Sequence, residues 1–325
     1  MRYIPSFLQP YLETDAMQRL KGIDMNCGVQ LTSFPLFVNR KTVNRYTHSL
    51  ITALLAWHFT ADEKQTLACL FHDIATPVFS HTVDFVNGDY MNQESTEAGI
   101  AEILEKDAGI FTQLKKDGIA VGDVCDYHKY PLCDNPSPKL SCDRLSYLLS
   151  GMVELGFGNQ VEAEQIAADL CVSENEEGEK EICFQSQATA KLFTRRSLQC
   201  GIIYSCCFDR FAMDQLSDLI HTALAEKILT YKDLYTSEYE VICRLKDSPL
   251  QQAWNRYTDL YGLKLSSEKK QGYRCIRVKK RYVDPYVVEK GRMHQLDHEI
   301  QTAMNRFVQD HQSIWISGLY KEKEG

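Results

Sequence analysis

His72 and Asp73 are adjacent, and together they offer an imidazole nitrogen beside a carboxylate oxygen. Successive helical side chains point about 100° apart, so the pair can clasp one ion only if it sits between their directions. His48 and Asp143 come from two other stretches and can complete the set. Two nitrogens and two oxygens suit a divalent first-row metal, with room for water or a phosphate oxygen. Such an ion lowers the pKa of a bound water and offsets charge on a phosphoryl group. The chemistry suggested is hydrolysis of a phosphate ester. Each residue also has an ordinary reading. His72 and Asp73 can mark a helix end, His48 can be a core or capping histidine, and Asp143 can cap the helix that follows it.

The elements that must position these residues are mostly helices. Thr14, Asp15 and Gln18 predict a helix start, with Leu20 and Ile23 on its apolar face. Residues 46–60 predict a helix packed through Leu50, Leu54, Leu55 and Trp57, with His48 near its start. The next helix opens near Thr60 or Asp62 and runs to about Ala75, where Pro77 ends it. His72 and Asp73 then lie in its last turns. Further helices are predicted over 94–106, from Asp143 to about Met152, through Thr189–Thr230, and from His294 to Val308. Asp123 to Ser141 carries three prolines and reads as a loop. Residues 158–182 are acidic and read as a helix plus an exposed turn. Tyr282, Val283, Tyr286 and Val287 are strand-like, broken by Pro285.

The chain has 325 residues, 44% of them hydrophobic, which is enough for a large core. Its net charge of -8 argues against a non-specific nucleic-acid binder, which needs a basic surface. Local charge at a site can still attract an anionic small molecule. The 12 cysteines include no C-x-x-C pair, and no apolar leader follows Met1, so free thiols in a cytoplasmic protein are expected. The most apolar stretch, Leu50 to Phe59, is too short to span a bilayer.

The segments that hold the four candidate ligands form an ordered set. Asn44-Arg45-Tyr46-Thr47-His48-Ser49-Leu50 is followed by ACLFHDIATPVFSH at 68–81 and CDRLSYLL at 142–149. This set resembles the HD-domain phosphohydrolases, and most closely their deoxynucleoside triphosphate triphosphohydrolase branch, which includes the SAM-and-HD-domain proteins. DAMQRLKGI at 15–23, LFTRRSLQCGIIYS at 192–205 and VKKRYVDPYV at 278–287 are similar to further segments of that branch. The resemblance covers most of residues 1–290. It implies a mainly α fold, with an HD-domain helical core over residues 1–185 and a mostly helical lobe over 186–325 packed on it. It implies one divalent metal on His48, His72, Asp73 and Asp143, the ion being Mn, Fe, Mg, Ni, Co or Zn. It also implies a nucleotide or other phosphorylated small molecule as substrate, and a homodimer.

Substrate-handling candidates come partly from spacing and partly from the resemblance. Arg45 lies three positions before His48, so both can face one cavity, and a guanidinium there can fork onto phosphate oxygens. Arg144 and Arg195 match family positions that touch phosphates. Tyr147, one turn after Asp143, can stack on a sugar or base, and Tyr204 is a sugar-pocket candidate. His81 closes the stretch after the metal-bearing helix and matches a family histidine near the phosphate, where it can transfer a proton. Three departures stand out. Thr76 occupies the place of a family catalytic histidine. Gln93 and Glu94 replace a His-Glu pair. Ser150 and Gly151 replace an Arg-Asp pair whose aspartate helps recognise a sugar hydroxyl. Glu94 can serve as a general base, and His128 can supply the missing imidazole or extend the site to a second metal.

Rival sites are weaker. Cys125, His128, Cys133 and Cys142 have suitable donors for zinc but not the usual paired spacing. His294 and His298 are four apart, but the adjacent Glu299 does not make the H-E-x-x-H pattern. Lys279-Lys280-Arg281 could bind nucleic acid, a nucleotide effector or nothing; it is short for a nucleic-acid footprint, and the resemblance places this region near an oligomer or effector surface. The sequence therefore points to a metal-dependent phosphohydrolase acting on a nucleotide or related ester. The competing reading is a catalytically weakened nucleotide sensor or scaffold of the same fold.

Overall fold

The computed structural model describes residues 3–38, 42–86, 99–310 and 313–321. Helices dominate, joined by two small sheets. The principal helices are α1 (Arg45–Thr60), α2 (Glu63–Phe71), α3 (Cys142–Glu154), α4 (Gln187–Tyr204), α5 (Cys207–Ala225) and α6 (His298–Gln309). Each of the first four begins at a side chain that accepts a hydrogen bond from a backbone N–H that the helix leaves orphaned. These caps are Asn44, Asp62, Ser141 and Ser186.

Helix α2 stops at Phe71 rather than near Ala75, and His72 is its C-cap. A turn follows in which Thr76 N–H bonds the Asp73 carbonyl and Ser80 N–H the Pro77 carbonyl. The metal candidates thus leave the helix just where the backbone becomes free to aim them. The predicted helix at 294–308 is divided: Met293–Leu296 ends at Asp297, whose carboxylate caps α6. Of the predicted 94–106 helix, Ile100–Lys106 is helical, and the earlier part lies outside the described residues.

Residues 158–182 contain more than a helix and a turn. A helix at Gln160–Ala168 leads into a hairpin of β1 (Leu170–Glu174) and β2 (Lys180–Phe184). Alternation in this stretch is masked by its acidic residues, yet Ile182 and Phe184 are fully buried. Strand β2 also pairs in parallel with β5 (Tyr286–Val287), which pairs antiparallel with β6 (Gly291–Arg292). The second sheet has the order β3-β7-β4, from Leu260–Ser266, Trp315–Tyr320 and Arg274–Cys275.

Two apolar cores result. One gathers Leu8, Leu55, Phe71, Leu148, Phe193, Val287 and Phe307. The other joins Phe34, Val78 and Phe79 to Phe211, Leu216, Trp254 and Ile316. Each draws residues from both sides of position 185. No helix among the described residues is long and apolar enough to cross a membrane, and all 12 cysteines are free thiols.

Candidate metal centre

Helix α1 brings Arg45 and His48 to one buried face, separated by one turn. The end of α2 brings His72 and Asp73, and the first turn of α3 brings Asp143. His48 Nε2 lies 3.2 Å from His72 Nε2 and 3.0 Å from Asp143 Oδ1. His72 Nε2 is 3.5 Å from Asp73 Oδ2 and 3.6 Å from Asp143 Oδ1, and His48 Nε2 is 3.7 Å from Asp73 Oδ2. Donors each about 2.1 Å from one ion would stand roughly 3.0–3.4 Å apart.

The other ring nitrogens fix the aim of both imidazoles. His72 Nδ1–H donates to the Cys69 carbonyl at 2.7 Å. His48 Nδ1 lies 3.0 Å from the Ser146 hydroxyl, which in turn donates to the His48 carbonyl. With Nδ1–H engaged on each ring, two Nε2 lone pairs face one another across 3.2 Å. The two nitrogens need a proton or a metal cation between them, and the donor set fits a resident metal.

The carboxylates are held ready as anions. Burial opposes ionisation of Asp73, but the Arg45 guanidinium, His72 and His48 together outweigh it and hold the carboxyl well below the usual range. Arg45 Nη1 donates to Asp73 Oδ2 at 2.9 Å, and the Thr76 hydroxyl donates to Oδ1 at 3.0 Å. Burial likewise opposes ionisation of Asp143, and its bonds to His48 and His72 drive the carboxyl far down. His72 is pulled down by burial but raised more by Asp73 and Asp143, to about 9. A metal would displace the proton that this environment favours.

The turn after the ligands is strained. Phe79 and Ser80 both have positive φ, at 59° and 46°. Each left-handed non-glycine residue costs on the order of 1–3 kcal/mol and persists where surroundings enforce it. Here Ser80 Oγ accepts from Arg45 Nε at 3.0 Å, and the Glu238 carboxylate accepts from Phe79 N–H at 3.3 Å. The turn delivers His81, whose Nδ1 lies 2.9 Å from the fully buried Asp84 carboxylate. Burial lowers the His81 pKa against the Asp84 bond, and the charges of Arg281 and Arg45 lower it further.

These groups open into a cavity of about 670 Å³. It is lined by the four ligand candidates and by Arg45, His81, His128, Arg144, Tyr147 and Tyr204. Arg144 is strongly engaged with the loop before it. Its guanidinium meets the Asn135 side chain and carbonyl, the Lys139 carbonyl and Asp134. His128 is half exposed at the rim, with Nδ1 3.0 Å from Asp134. Arg195 is not brought to this cavity; it pairs with Glu299 at 2.6 Å on an exposed face. Glu94 and Gln93 lie outside the described residues.

The rival zinc set does not assemble. His128 turns to Asp134, and the Cys133 and Cys142 thiols neighbour Cys69, which the sequence did not single out. His294 is taken by Asp284. Lys279 and Arg281 line the cavity. Asp209 and Glu154 line it too, and no sequence motif singled out either of them.

No family model matches the chain. It is 26% identical over 296 residues to YdhJ, an uncharacterized protein of Bacillus subtilis, covering 88% of this chain and 85% of that one. It is 30% identical over 159 residues to the metal-dependent phosphohydrolase cns2 of Cordyceps militaris, covering 49% of this chain and 44% of the fungal one. A crystal structure of a phosphohydrolase from Bacteroides thetaiotaomicron superposes with a TM-score of 0.65 at 14% identity, over 98% of this chain and 97% of that one. The fold is phosphohydrolase-like. It is mainly helical, carries two small sheets, and holds a buried His48, His72 and Asp73 triad suited to a metal.

Proposed function

We propose that the chain is a metal-dependent phosphohydrolase acting on a nucleotide or a related phosphate ester. The observation that carries this reading is the convergence of His48, His72, Asp73 and Asp143 at a cavity whose wall also presents Arg45, His81 and Arg281. The names of the fungal relative and of the bacterial structure agree with it.

The four ligands would hold one divalent ion. When bound, such an ion acidifies a coordinated water and offsets phosphoryl charge. The chain's own residues do the rest. Arg45 keeps Asp73 ionised and in place, and the Thr76 hydroxyl braces the same carboxylate where the resembling family has a histidine. His81 has Nδ1–H committed to Asp84 and is held neutral by burial, so Nε2 is left as the acceptor, able to take a proton from an attacking water. Arg281 acts electrostatically on both His81 and Tyr147, which puts a cation beside the space a phosphate would fill. Arg144 shapes that space by holding residues 134–139. Tyr147 and Tyr204 face the organic part of the ester.

A release screen tests the proposal. Deoxynucleoside triphosphates, nucleoside monophosphates and dinucleotides are incubated with Mn, Mg, Co, Ni or Zn, and phosphate and nucleoside are quantified. At least one pairing should turn over. Asp73→Ala should retain its circular dichroism spectrum, lose bound metal, and lose activity by about 1,000-fold or more, as expected for removal of both a ligand and the metal's charge. Tight nucleotide binding with no turnover under any metal would replace this reading with a sensor or scaffold.

A further inference from the structure

The cavity has a second wall that phosphate chemistry leaves unused. It forms where the end of α3 meets the end of α4 and the start of α5, and it includes Tyr147, Gly151, Glu154, Tyr204 and Asp209. Asp209 is only 8% exposed, yet among the described residues its carboxyl has no hydrogen-bond partner. The same holds for the Glu154 carboxyl and the Tyr147 and Tyr204 hydroxyls. A buried carboxyl without a partner destabilises the protein that carries it, so such a group calls for an explanation. Here the explanation is the cavity that all four face.

Gly151 makes this wall. A Cβ at that position would lie 2.0 Å from the Tyr204 hydroxyl oxygen, so only glycine admits the phenol against α3. Burial raises the Tyr204 hydroxyl, and Glu154, Tyr147 and Asp209 are near enough to act on it. Burial also lifts the Asp209 carboxyl well above its usual range, and it lifts Glu154 to about 7, with help from Asp24. Carboxyls pushed toward the protonated form match hydroxyl groups, which donate to one carboxyl oxygen and accept from the other. The tyrosine rings and Met213 add flat and apolar surface beside them. A cavity of about 670 Å³ lies within the roughly 300–1,000 Å³ of clefts that enclose drug-sized ligands.

We infer that this wall is a nucleoside subsite, in which Asp209 anchors sugar hydroxyls, with Glu154 and Tyr204 completing the hydrogen-bond set. The inference rests on the hydrolase reading for the direction of the substrate, with phosphate at the metal end and sugar at the Asp209 end. The recognition device differs from that of the resembling family, because the aspartate expected at position 151 is absent and a tyrosine hydroxyl occupies its space.

Adenosine, which has the sugar but no phosphate, separates the two claims. Calorimetric titration should detect adenosine binding to the wild-type protein. Asp209→Leu should weaken it at least 10-fold while raising Tm, because the variant loses an unpartnered buried carboxyl. Tyr204→Phe keeps the ring and should weaken binding about threefold. Inorganic phosphate, titrated into the Mn-loaded protein, should bind the wild type and Asp209→Leu alike. The inference is overturned if the wild type does not bind adenosine, if Asp209→Leu binds it as well as the wild type, or if Asp209→Leu lowers Tm. Adenosine binding without phosphate release from any ester would sink the hydrolase reading and leave the subsite standing.

Discussion

At the metal centre, each imidazole owes its aim to the nitrogen that does not face the ion. His72 is fixed by a backbone carbonyl, which no side-chain substitution removes. His48 depends on the Ser146 hydroxyl, one turn beyond Asp143 on α3. Ser146→Ala should therefore leave the fold intact and free the His48 ring to choose the wrong tautomer. Metal affinity should fall about 10–100-fold, the usual effect of removing a ligand's supporting bond. Competition with a metal-responsive chelator dye measures it, and affinity unchanged within twofold would show that Ser146 is not the orienting group. The ligands themselves were legible because they sit in ordered segments with proline and cap signals around them. Ser146 was not, since a serine inside a helix looks like filler until the opposite helix is in place. Asp209 was hidden for the same reason, lying over 60 positions from the nearest candidate ligand.

Among the elements, the turn from Pro77 to His81 carries the most strain and the most consequence. Ser80 is held by Arg45, and Phe79 by one acidic side chain, Glu238, whose Oε1 accepts from the backbone N–H groups of Phe79 and Asp24. Burial lifts the Glu238 carboxyl from an ordinary 4.5 to about 8; the Asp24 N–H bond opposes this and the Asp24 charge adds to it. The folded state therefore holds this proton more tightly than the unfolded chain does. Its contribution is full below pH 4.5 and is lost as pH rises toward and through 8. Glu238→Gln keeps the acceptor oxygen and removes the titration. It should match the wild-type Tm at pH 4.5 and exceed it by several degrees at pH 8.5, as followed by thermal melts across that range. A constant Tm difference at all pH values would show that Glu238 does not titrate with folding. The helices around this turn were readable from caps and apolar spacing. The turn conformation was not, because positive φ at Phe79 and Ser80 runs against the preference of both residues and is held by tertiary partners, Gly28 and Glu238 at Phe79 and Arg45 at Ser80. The β1–β2 hairpin was missed for a related reason: its buried Phe184 also pairs with Val287 of β5, which comes from far later in the chain.

Across the molecule, stability and the site are coupled through one buried ion pair. Arg292 donates to both oxygens of Glu181 at 2.7 Å and reaches Glu176 at 2.6 Å. Glu181 also accepts from the Leu140 N–H at 3.0 Å, and Lys139 bonds Glu177 and Glu179. The late strand β6, the hairpin and the loop that leads into Asp143 are thus tied at one point. Arg292→Ala would leave Glu181 charged, buried and unpaired, a change that costs about 3–5 kcal/mol. In a chain of this size that is roughly a 4–7 °C fall in Tm. Arg292→Met with Glu181→Leu removes both charges and should recover most of that loss. It would still orphan the Leu140 N–H, so the loop before Asp143 should remain loosened. The double variant should consequently melt near the wild type yet bind metal several-fold more weakly, a split that calorimetry and metal titration resolve together. If metal affinity recovers along with Tm, the ion pair stabilises the fold without positioning Asp143, and the loop is held by Lys139 and Arg144 alone.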